Sequence, residues 1–374
     1  MVLKPSITFL GIGDVAIDLE QPETAFQHVN GILQAADITY ANCEQVLSDK
    51  GSPNPKQSIV ADPKILSAYL HAGVDIVSLA NNHSQDWGKE ALLDTMDRLQ
   101  KAGLPYVGVG NNLDEARQPV ILERNNTKVG FLAYCCVGPE GLSYEAQHDF
   151  PGYAPVRAIT HYEHVDPQPG TWPKIISTPV KEDLANMVED IRKLKTMVDV
   201  AIVCPHWGLH VLPIVIPDYE LDIGHAAVDA GADLVIGTHT HLLKGIEMYM
   251  GKAIFHSTGD FVFSMRKDVQ ERHPLLKYSA PRHVTDLKKL YHINDNIWND
   301  DKKKTLIVKA LIESGEIKRY SYIPCYQNEQ QQPEIVKPDD FRAGKVFDYV
   351  QEVTQGADLT TRFTWDGDEV VITP

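Results

Sequence analysis

The sequence is poor in the features that define disulfide-rich and membrane proteins. Its 374 residues include only five cysteines, and no two of them form a Cys-x-x-Cys pair. Because disulfide scaffolds and thiolate zinc sites need paired cysteines, we expect reduced thiols buried in the core. No apolar run reaches the roughly 18 residues that a membrane-spanning helix requires, and the first residues lack the apolar stretch of a signal peptide. We therefore expect a soluble, cytoplasmic protein with no membrane span.

Positive charge is also scarce. The chain has 35 Lys and Arg residues against 51 Asp and Glu residues, which gives a net charge of −16. Nucleic acids are bound by clustered Lys and Arg, so this charge argues against nucleic acid as the main partner. Hydrophobic residues make up 43% and charged residues 23%, close to the averages of globular proteins, and no low-complexity tract is present. The composition therefore predicts a folded domain.

The hydrophobic pattern predicts an α/β fold. Short β-branched runs alternate with helical patterns between residues 6 and 137, which is typical of β-α-β units. We predict strands at 7–13, 38–43, 74–80, 105–109, 128–136, 199–204 and 233–237, and helices at 22–36, 89–101, 182–198, 218–230 and 341–353. Hairpins are predicted at 245–263 and 305–322, with turns at Asn125-Asn126 and at Asp366-Gly367-Asp368.

Two segments interrupt this regularity and are interpreted as irregular insertions at 138–180 and 266–300. Residues 266–292 carry seven Lys and Arg against three Asp and Glu, a local basic excess that could attract an anionic substrate or could be a solvated surface loop. Arg157, Arg266, Tyr278 and Arg282 are therefore candidate substrate-binding residues. We interpret residues 1–374 as a single catalytic domain with a core at 6–264 and a C-terminal extension at 305–374 that packs on the core.

Polar residues that can bind metals follow several of the predicted strands. They are Asp14, Asn42, Glu44, Asn82, His83, His206, His239 and His241. The carboxyl ends of strands in an open α/β sheet converge on one crevice, so we expect these side chains to meet there. Imidazole, carboxylate and amide donors suit one or two divalent ions of manganese, zinc, iron or cobalt. The most specific local signal is His239-Thr-His241, whose two imidazoles would share one face of an extended segment.

Each residue taken alone also has a structural explanation. Asp14 could close a turn, Asn82 could cap a helix, and His206 could be a core histidine bonded to the backbone. Glu44 follows a buried strand, where an unpaired carboxylate is costly, so a nearby cation is the favoured interpretation. The series as a whole predicts a metal site.

The ordered motifs resemble the CapA family of poly-γ-glutamate capsule-synthesis proteins, which is similar to a branch of the calcineurin-like metallophosphoesterases. They are Gly-Asp14, Asn42-Cys-Glu44, Asn81-Asn82-His83-Ser-Gln-Asp86, His206-Trp-Gly, Gly237-Thr-His239-Thr-His241 and Gly259-Asp260. The resemblance covers residues 6–264. It implies a calcineurin-like metallophosphoesterase sandwich, in which helices flank mixed β-sheets.

The resemblance also implies roles for single residues. Asp14, Glu44 and His241 would surround one metal position, and Glu44 would bridge to a second position formed with Asn82, His206 and His239. His83 would be the acid/base, oriented by Asp86, and Asn42 is a further candidate for substrate binding.

The chain departs from the pattern of that superfamily at four positions, which are Ala16, Glu44, His210 and Asp260. Ala16 replaces a ligand histidine, so a mononuclear site or a weakly held second ion is conceivable. Glu44 replaces a bridging aspartate. His210 stands near an acidic position of relatives and is kept as a catalytic candidate, and Asp260 replaces a common asparagine.

Three functions are compatible with this pattern. In the first, a metal-bound hydroxide hydrolyses a phosphoester or an amide while His83 moves a proton. In the second, the metal acidifies a Cα–H of a peptide and His83 or His283 acts as base, since some relatives resemble peptide epimerases. In the third, the chain is a non-catalytic accessory subunit in capsule-polymer synthesis. The expected partner is a small anionic or peptide substrate, and a homodimer is left open.

Overall fold

The computed structural model describes residues 5–54, 58–138, 144–166, 173–210, 212–264 and 300–374. Its strands are β1 (Ile7–Ala16), β2 (Ile38–Cys43), β3 (Ile76–Ser78), β4 (Tyr106–Val107), β5 (Val109–Gly110), β6 (Val120–Arg124), β7 (Thr127–Cys135), β8 (Gly152–Tyr153), β9 (Ala158–Glu163), β10 (Lys174–Pro179), β11 (Val200–His206), β12 (Leu234–Ile236), β13 (Ile246–Tyr249), β14 (Lys252–Phe255), β15 (Asp260–Phe263), β16 (Lys304–Glu313), β17 (Glu316–Gln327), β18 (Pro333–Ile335), β19 (Arg362–Asp366) and β20 (Glu369–Thr373).

The α-helices are α1 (Asn30–Ala35), α2 (Leu66–Ala72), α3 (Lys89–Ala102), α4 (Leu113–Ala116), α5 (Lys181–Lys195), α6 (Asp218–Ala230) and α7 (Phe341–Gly356), with short 3₁₀ turns at Pro22–Phe26 and Pro63–Ile65. Gly103 caps the C-terminus of helix α3, with a φ of 72° that glycine readily adopts in a left-handed cap. Within the described residues, no helix combines the length and the apolar character that crossing a bilayer demands.

The first sheet has mixed strand directions and contains both the start and the end of the chain. Its order is β19-β20-β17-β16-β1-β2-β3-β4, with β15 also paired to β1 and β18 to β17. Strands β1 to β4 run parallel to one another, whereas β16 is antiparallel to β1. Residues 305–374, predicted as an extension packing on the core, thus contribute hydrogen-bonded strands to the sheet that carries β1.

The second sheet has the order β13-β14-β12-β11-β7-β6. Strands β7, β11, β12 and β14 are parallel, and the two edge strands β6 and β13 are antiparallel to their neighbours. Two short ladders, β5 with β8 and β9 with β10, complete the described sheet structure. The α/β class with mixed sheets flanked by helices is therefore confirmed.

The main core lies between the two sheets. The ring of Phe131 on β7 lies 6.1 Å from that of Phe9 on β1 and 6.2 Å from that of Tyr40 on β2. All three side chains are buried, and fully burying one such aromatic stabilises the fold by about 1.5–3 kcal/mol. A second core forms where β7 and β11 pack on α5 and α6, through residues such as Leu132, Met187, Val203 and Ile223. Packing on both faces of the second sheet holds its strand ends rigidly beside those of the first.

Most predicted elements are found, and the clearest examples rest on local signals. Strand β2 and helix α6 have the predicted bounds. Asn125 and Asn126 both adopt positive φ, at 50° and 61°, in the two-residue turn between β6 and β7. Asparagine tolerates this left-handed conformation, so the turn could be predicted from these two residues alone.

Three predictions require correction, and a fourth lies almost entirely outside the described residues. Residues 22–36 form a 3₁₀ turn followed by the short α1 instead of one helix. The predicted 245–263 hairpin ends at Phe255, because the chain turns at Gly259 and β15 joins β1 of the other sheet. Segment 138–180 is not wholly irregular, since β9 and β10 pair in it. The second insertion, 266–300, lies outside the described residues except for Asp300.

Candidate metal centre

Both sheets direct polar side chains toward one place, at the carboxyl ends of their parallel strands. The first sheet contributes Asp14 from β1, Asn42 and Glu44 from the end of β2, and Asn82 and His83 from the turn after β3. The second contributes His206 from β11, and His239 and His241 from the segment after β12. Sequence analysis predicted that these residues meet in one crevice, and the hydrogen bonds among them show that the fold brings them together.

Four of these residues form what we call the imidazole cluster: Glu44, Asn82, His206 and His239. The Nε2 atom of His206 lies 2.7 Å from Asn82 Oδ1, 3.2 Å from His239 Nδ1 and 3.6 Å from Glu44 Oε1. Donor atoms that bind one ion at roughly 2.0–2.2 Å must themselves lie about 3–4 Å apart. The cluster therefore has the spacing of a ligand set around a single cation.

Glu44 gives a direct test of whether a cation fits here. Its side chain is fully buried, and neither carboxylate oxygen has a hydrogen-bond partner among the described residues. Burial, together with repulsion from Asp14 and Asp260, raises the pKa of Glu44 well above its ordinary value of 4.5. An unpaired buried carboxylate is costly, and a divalent cation supplies the missing partner. The residues present thus fit a metal ion.

The two histidines of the imidazole cluster are suited to act as ligands. Burial lowers the pKa of both His206 and His239 well below 6.5, and neighbouring histidines lower these pKa values further. Neutral imidazole is the form that binds metals. His206 contacts the Thr238 hydroxyl through Nδ1 at 2.8 Å, which fixes its ring so that Nε2 points at the cluster.

A second set, the carboxylate cluster, consists of Asp14, His241 and Asp260, whose ligand atoms all lie within 4.8 Å of one another. Asp14 accepts hydrogen bonds from Asn42 Nδ2 at 2.7 Å and from the backbone N–H of His239 at 2.9 Å. His241 Nδ1 lies 2.6 Å from Asp260 Oδ1. Burial raises the pKa of each aspartate to about 7, and the negative charge of Asp260 contributes to the shift of Asp14.

The prediction that His239 and His241 share one face of an extended segment is wrong. Both residues have positive φ, at 102° and 59°, so the segment turns at each of them. A positive φ is uncommon for residues other than glycine and asparagine, and a residue keeps it where the surrounding structure stabilises that conformation. The turn places His239 in the imidazole cluster and His241 in the carboxylate cluster, so the pair serves two positions.

His83 and Asp86 form a buried pair beside the imidazole cluster. His83 Nδ1 lies 2.7 Å from Asp86 Oδ2, and the same oxygen accepts the backbone N–H of Ile59 at 2.8 Å. The other ring nitrogen of His83, Nε2, lies 3.8 Å from Glu44 Oε1. Asp86 therefore holds the imidazole with Nε2 directed at the centre, as the resemblance implied.

His210 packs over both clusters. Its ring centroid lies 4.1 Å from that of His239 and 5.0 Å from that of His241, and its Nε2 donates to the carbonyl oxygen of His239 at 3.0 Å. Burial, reinforced by His241 and Lys302, lowers the pKa of His210 to about 3. The side chain is thus neutral at physiological pH and supports the turn that carries the two ligand histidines.

Sequence reasoning missed two residues of the centre. Asp260 was noted as a departure from the family pattern but not as a potential ligand, although it precedes an apolar strand just as the other polar residues follow one. Lys302 lies with Nζ 4.0 Å from Asp260 Oδ2 and 5.7 Å from the ring centroid of Phe263. Its run of charged neighbours resembles a solvated surface, so no local signal could have identified it.

The predicted substrate-binding residues lie in different parts of the structure. Asn42 lies in the centre, bonded to Asp14. Arg157 instead makes two hydrogen bonds to Asp183, at 2.7 and 2.8 Å, and lines a separate cavity of about 350 Å³ together with Arg117 and Tyr134. None of the described residues that line this cavity belongs to either cluster. Arg266, Tyr278, Arg282 and His283 lie outside the described residues.

Comparison with known proteins identifies related sequences. The family model "Bacterial capsule synthesis protein PGA_cap" matches residues 9–265. The chain is 26% identical over 276 residues to the PGA biosynthesis protein CapA of Bacillus subtilis (strain 168), covering 70% of this chain and 63% of that protein. It is 29% identical over 247 residues to the capsule biosynthesis protein CapA of Bacillus anthracis, covering 64% and 53% respectively. The chain thus spans less than two thirds of the length of both relatives.

A solved structure shows a weaker likeness. A phosphatase from Mycoplasma pneumoniae, described as novel, aligns with 92% of this chain and 99% of its own, at a TM-score of 0.46 and 15% sequence identity.

Proposed function

The chain belongs to the family of bacterial capsule synthesis proteins, PGA_cap, and we propose that it is a metal-dependent hydrolase of the calcineurin-like metallophosphoesterase type. The family predicted from the strand-end motifs is confirmed. The bond to be cleaved is a phosphoester or an amide of a small anionic or peptide substrate. The observation that carries this proposal is Glu44, a buried carboxylate without a hydrogen-bond partner among the described residues, facing two neutral histidines.

The imidazole cluster supplies the ligands for the ion. His206 Nε2, His239 Nδ1, Asn82 Oδ1 and Glu44 Oε1 would hold it, and manganese, zinc, iron and cobalt all suit this mixture of donors. A divalent cation in such a site polarises a substrate oxygen and lowers the pKa of a water molecule toward neutrality. The surrounding residues must then position the substrate and move protons.

His83 is placed to move the proton. Since Nδ1 faces the carboxylate of Asp86, which also accepts a backbone N–H, this nitrogen carries a proton and Nε2 is left to exchange one with the substrate. Nε2 can give a proton to the leaving oxygen or nitrogen. To donate this proton, the His83 ring must carry protons on both nitrogens, and the carboxylate of Asp86 stabilises that positively charged form. The pair thus supports general acid catalysis next to the cation position.

Lys302 offers a positive charge for an anionic substrate. It stands beside the carboxylate cluster with its side chain 28% exposed, and its Nζ lies over the ring of Phe263. In a chain with a net charge of −16, such a local cation is needed to attract a phosphate or a carboxylate. This charge favours the anionic substrate classes over neutral ones.

The proposal is tested by metal-dependent turnover. The purified chain is stripped with a chelator, reloaded separately with Mn²⁺, Zn²⁺ and Co²⁺, and assayed with an aryl phosphate, a bis-aryl phosphodiester and γ-glutamyl peptides. We expect hydrolysis of at least one substrate class with metal and none without it. His239→Ala should lose both bound metal and turnover, whereas His83→Gln should keep the metal and lower kcat by about 10²–10⁴-fold.

A matched control is available for the His83–Asp86 pair. His148 Nδ1 also lies 2.7 Å from an aspartate, Asp149, but both side chains are about nine-tenths exposed, so His148→Gln should leave turnover unchanged. Full activity of metal-stripped His239→Ala would overturn the proposal. Deuterium uptake from heavy water into a peptide without any change of bond would instead favour proton abstraction at Cα, and retention of metal with no turnover of any substrate would favour an accessory role.

A further inference from the structure

We propose that Asp260 is a metal ligand and that it makes the carboxylate cluster an oxygen-rich cation site, selective for a hard divalent ion such as Mn²⁺. This inference rests on the proposed function, because it concerns a second cation position in the same centre. Ligand atoms of Asp14, His241 and Asp260 lie within 4.8 Å of one another, and the two aspartates are at most 2% exposed. The cluster therefore presents two carboxylates and one imidazole to a common point.

Glu44 is a separate observation that points to a ligand at this place. It is fully buried, its two oxygens have no hydrogen-bond partner among the described residues, and its charge interacts with those of Asp14 and Asp260. Three buried carboxylates at close range repel one another unless cations compensate them. Lys302 supplies one positive charge at 4.0 Å from Asp260, which is not enough for all three. Divalent cations at both clusters would remove the repulsion among the three carboxylates.

The backbone positions Asp260 for this role. Asp14 and Asp260 are paired residues on the adjacent parallel strands β1 and β15, and the N–H of Asp14 donates to the carbonyl oxygen of Gly259 at 3.1 Å. The strands approach so closely that a Cβ on Gly13 would lie 2.2 Å from that oxygen. Two residues after Asp14, Ala16 offers no donor atom, so the third donor of this cluster comes from β15.

The two clusters differ in the chemistry of their donors. The imidazole cluster has two imidazole nitrogens, one amide oxygen and one carboxylate, a mixture that suits zinc or iron. The carboxylate cluster has two carboxylates of its own in addition to nearby Glu44, a set that suits manganese or magnesium. The centre is thus built to hold two unlike ions.

Asp260 could instead only orient His241, since its Oδ1 lies 2.6 Å from His241 Nδ1. The two roles respond differently to Asp260→Asn. Asparagine retains an oxygen that accepts the same hydrogen bond, so an orienting role would survive the substitution. A ligand role would not survive, because the substitution removes the negative charge that binds the cation.

The experiment measures metal binding and needs no turnover. The full chain and its Asp260→Asn variant are stripped, loaded with one equivalent of Zn²⁺ and then titrated with Mn²⁺, which is followed by electron paramagnetic resonance and by elemental analysis after gel filtration. We expect the unchanged chain to hold one zinc and one manganese. The variant should keep the zinc and bind manganese more than about 100-fold more weakly, which exceeds the roughly 10–100-fold loss expected when only an orienting partner is removed.

Two further variants control for folding. Asp94→Asn alters a buried aspartate on α3 that pairs with Lys50 and Arg98 and belongs to neither cluster, and it should bind both ions normally. Asp260→Glu keeps the carboxylate and should retain manganese binding. Normal manganese binding by a folded Asp260→Asn would overturn the inference, as would an active chain that holds only one ion. A chain that holds no ion at all would overturn the proposed function as well.

Discussion

Two regions of the molecule bury histidine next to glutamate, and they solve the problem of buried charge in opposite ways. One is the imidazole cluster, where His206 and His239 face the single carboxylate of Glu44. The other, which we call the histidine–glutamate network, consists of Glu220, His225, Glu247 and His256 on α6, β13 and the loop after β14. In the network, His256 Nδ1 lies 2.9 Å from Glu220 Oε1 and His256 Nε2 lies 3.3 Å from Glu247 Oε2.

The pKa values of the histidines shift in opposite directions in the two regions. Burial alone would lower the pKa of His256, but hydrogen bonds to Glu220 and Glu247 outweigh burial and raise it above 6.5. In the imidazole cluster, burial and neighbouring histidines lower the pKa of His206 and of His239. In the network, carboxylates therefore stabilise the protonated form of His256, whereas in the cluster neither oxygen of Glu44 has a hydrogen-bond partner among the described residues.

This comparison teaches how to separate a structural histidine from a ligand. Both sets combine histidine with glutamate, and each contains a histidine and a glutamate that are fully or almost fully buried, so these features alone do not distinguish them. What differs is the pairing. Both nitrogens of His256 face carboxylates, and Glu220 keeps one oxygen bonded to His256 while its other oxygen has no partner among the described residues. At Glu44, neither oxygen has a hydrogen-bond partner among those residues. A carboxylate with both oxygens in that condition, facing neutral imidazoles, is the feature that marks the candidate metal centre.

The largest effect on stability is expected from His256→Gln. The substitution removes the imidazole that faces the buried carboxylate of Glu220 and the partly buried carboxylate of Glu247. Breaking a buried pair costs about 3–5 kcal/mol. The loss should be seen in denaturant unfolding of the chelated protein, with metal retention unchanged. His148→Gln, which alters an exposed histidine, should change the free energy of unfolding by no more than about 0.5 kcal/mol.

The same variant should show a defined pH window. The folded-state pKa of His256 is raised, so its contribution to stability is lost as the pH rises through that pKa. At Glu247, burial would raise the pKa, but hydrogen bonds to His256 and His225 outweigh burial and lower the pKa below 4.5. The contribution of Glu247 to stability is therefore lost as the pH falls through that lowered pKa. The cost of His256→Gln should therefore be largest between these limits and smaller at pH 9 than at pH 6. An equal cost at both pH values would contradict the pairing.

Glu44→Gln should have an intermediate effect of opposite sign. In the metal-free protein it removes a buried carboxylate that lacks a partner, so the free energy of unfolding should increase by about 1–3 kcal/mol. In the same variant, metal affinity should fall by more than about 100-fold, because an essential ligand is lost. Calorimetric melting with and without chelator measures both effects. A metal-free protein that is destabilised by Glu44→Gln would show that the carboxylate is already satisfied.

The smallest effect is expected from Arg157→Ala, which tests a charge pair outside both regions. The Arg157 side chain is half exposed, and pairs of this kind contribute about 1 kcal/mol or less. Metal content and turnover should be unchanged, because Asp183 binds its guanidinium in a separate cavity. A large rise in KM for an anionic substrate would restore the prediction that Arg157 binds substrate.

Local features of the fold were predictable because their physical cause is local. The hairpin turn at Asn125-Asn126, the cap at Gly103 and the amphipathic α5 each depend on a few neighbouring residues. The fate of residues 245–263 was not predictable, since whether β15 pairs with its own hairpin or with β1 depends on strands far away in sequence. The same limit hid Lys302, which reaches the centre only through the fold.

The sequence by itself determined the α/β order of elements and the kinds of donor atoms that follow the strands, because periodicity and side-chain chemistry are carried by each segment alone. The family followed from the resemblance of its ordered motifs. Only the tertiary structure decided which of the candidate donors lie together in one cluster. It separated His239 from His241 by a turn, brought Asp260 beside Asp14, and lowered the pKa of His206 while it raised the pKa of His256. The physical reason is that ligand sets and pKa values depend on distances and burial between residues remote in the chain.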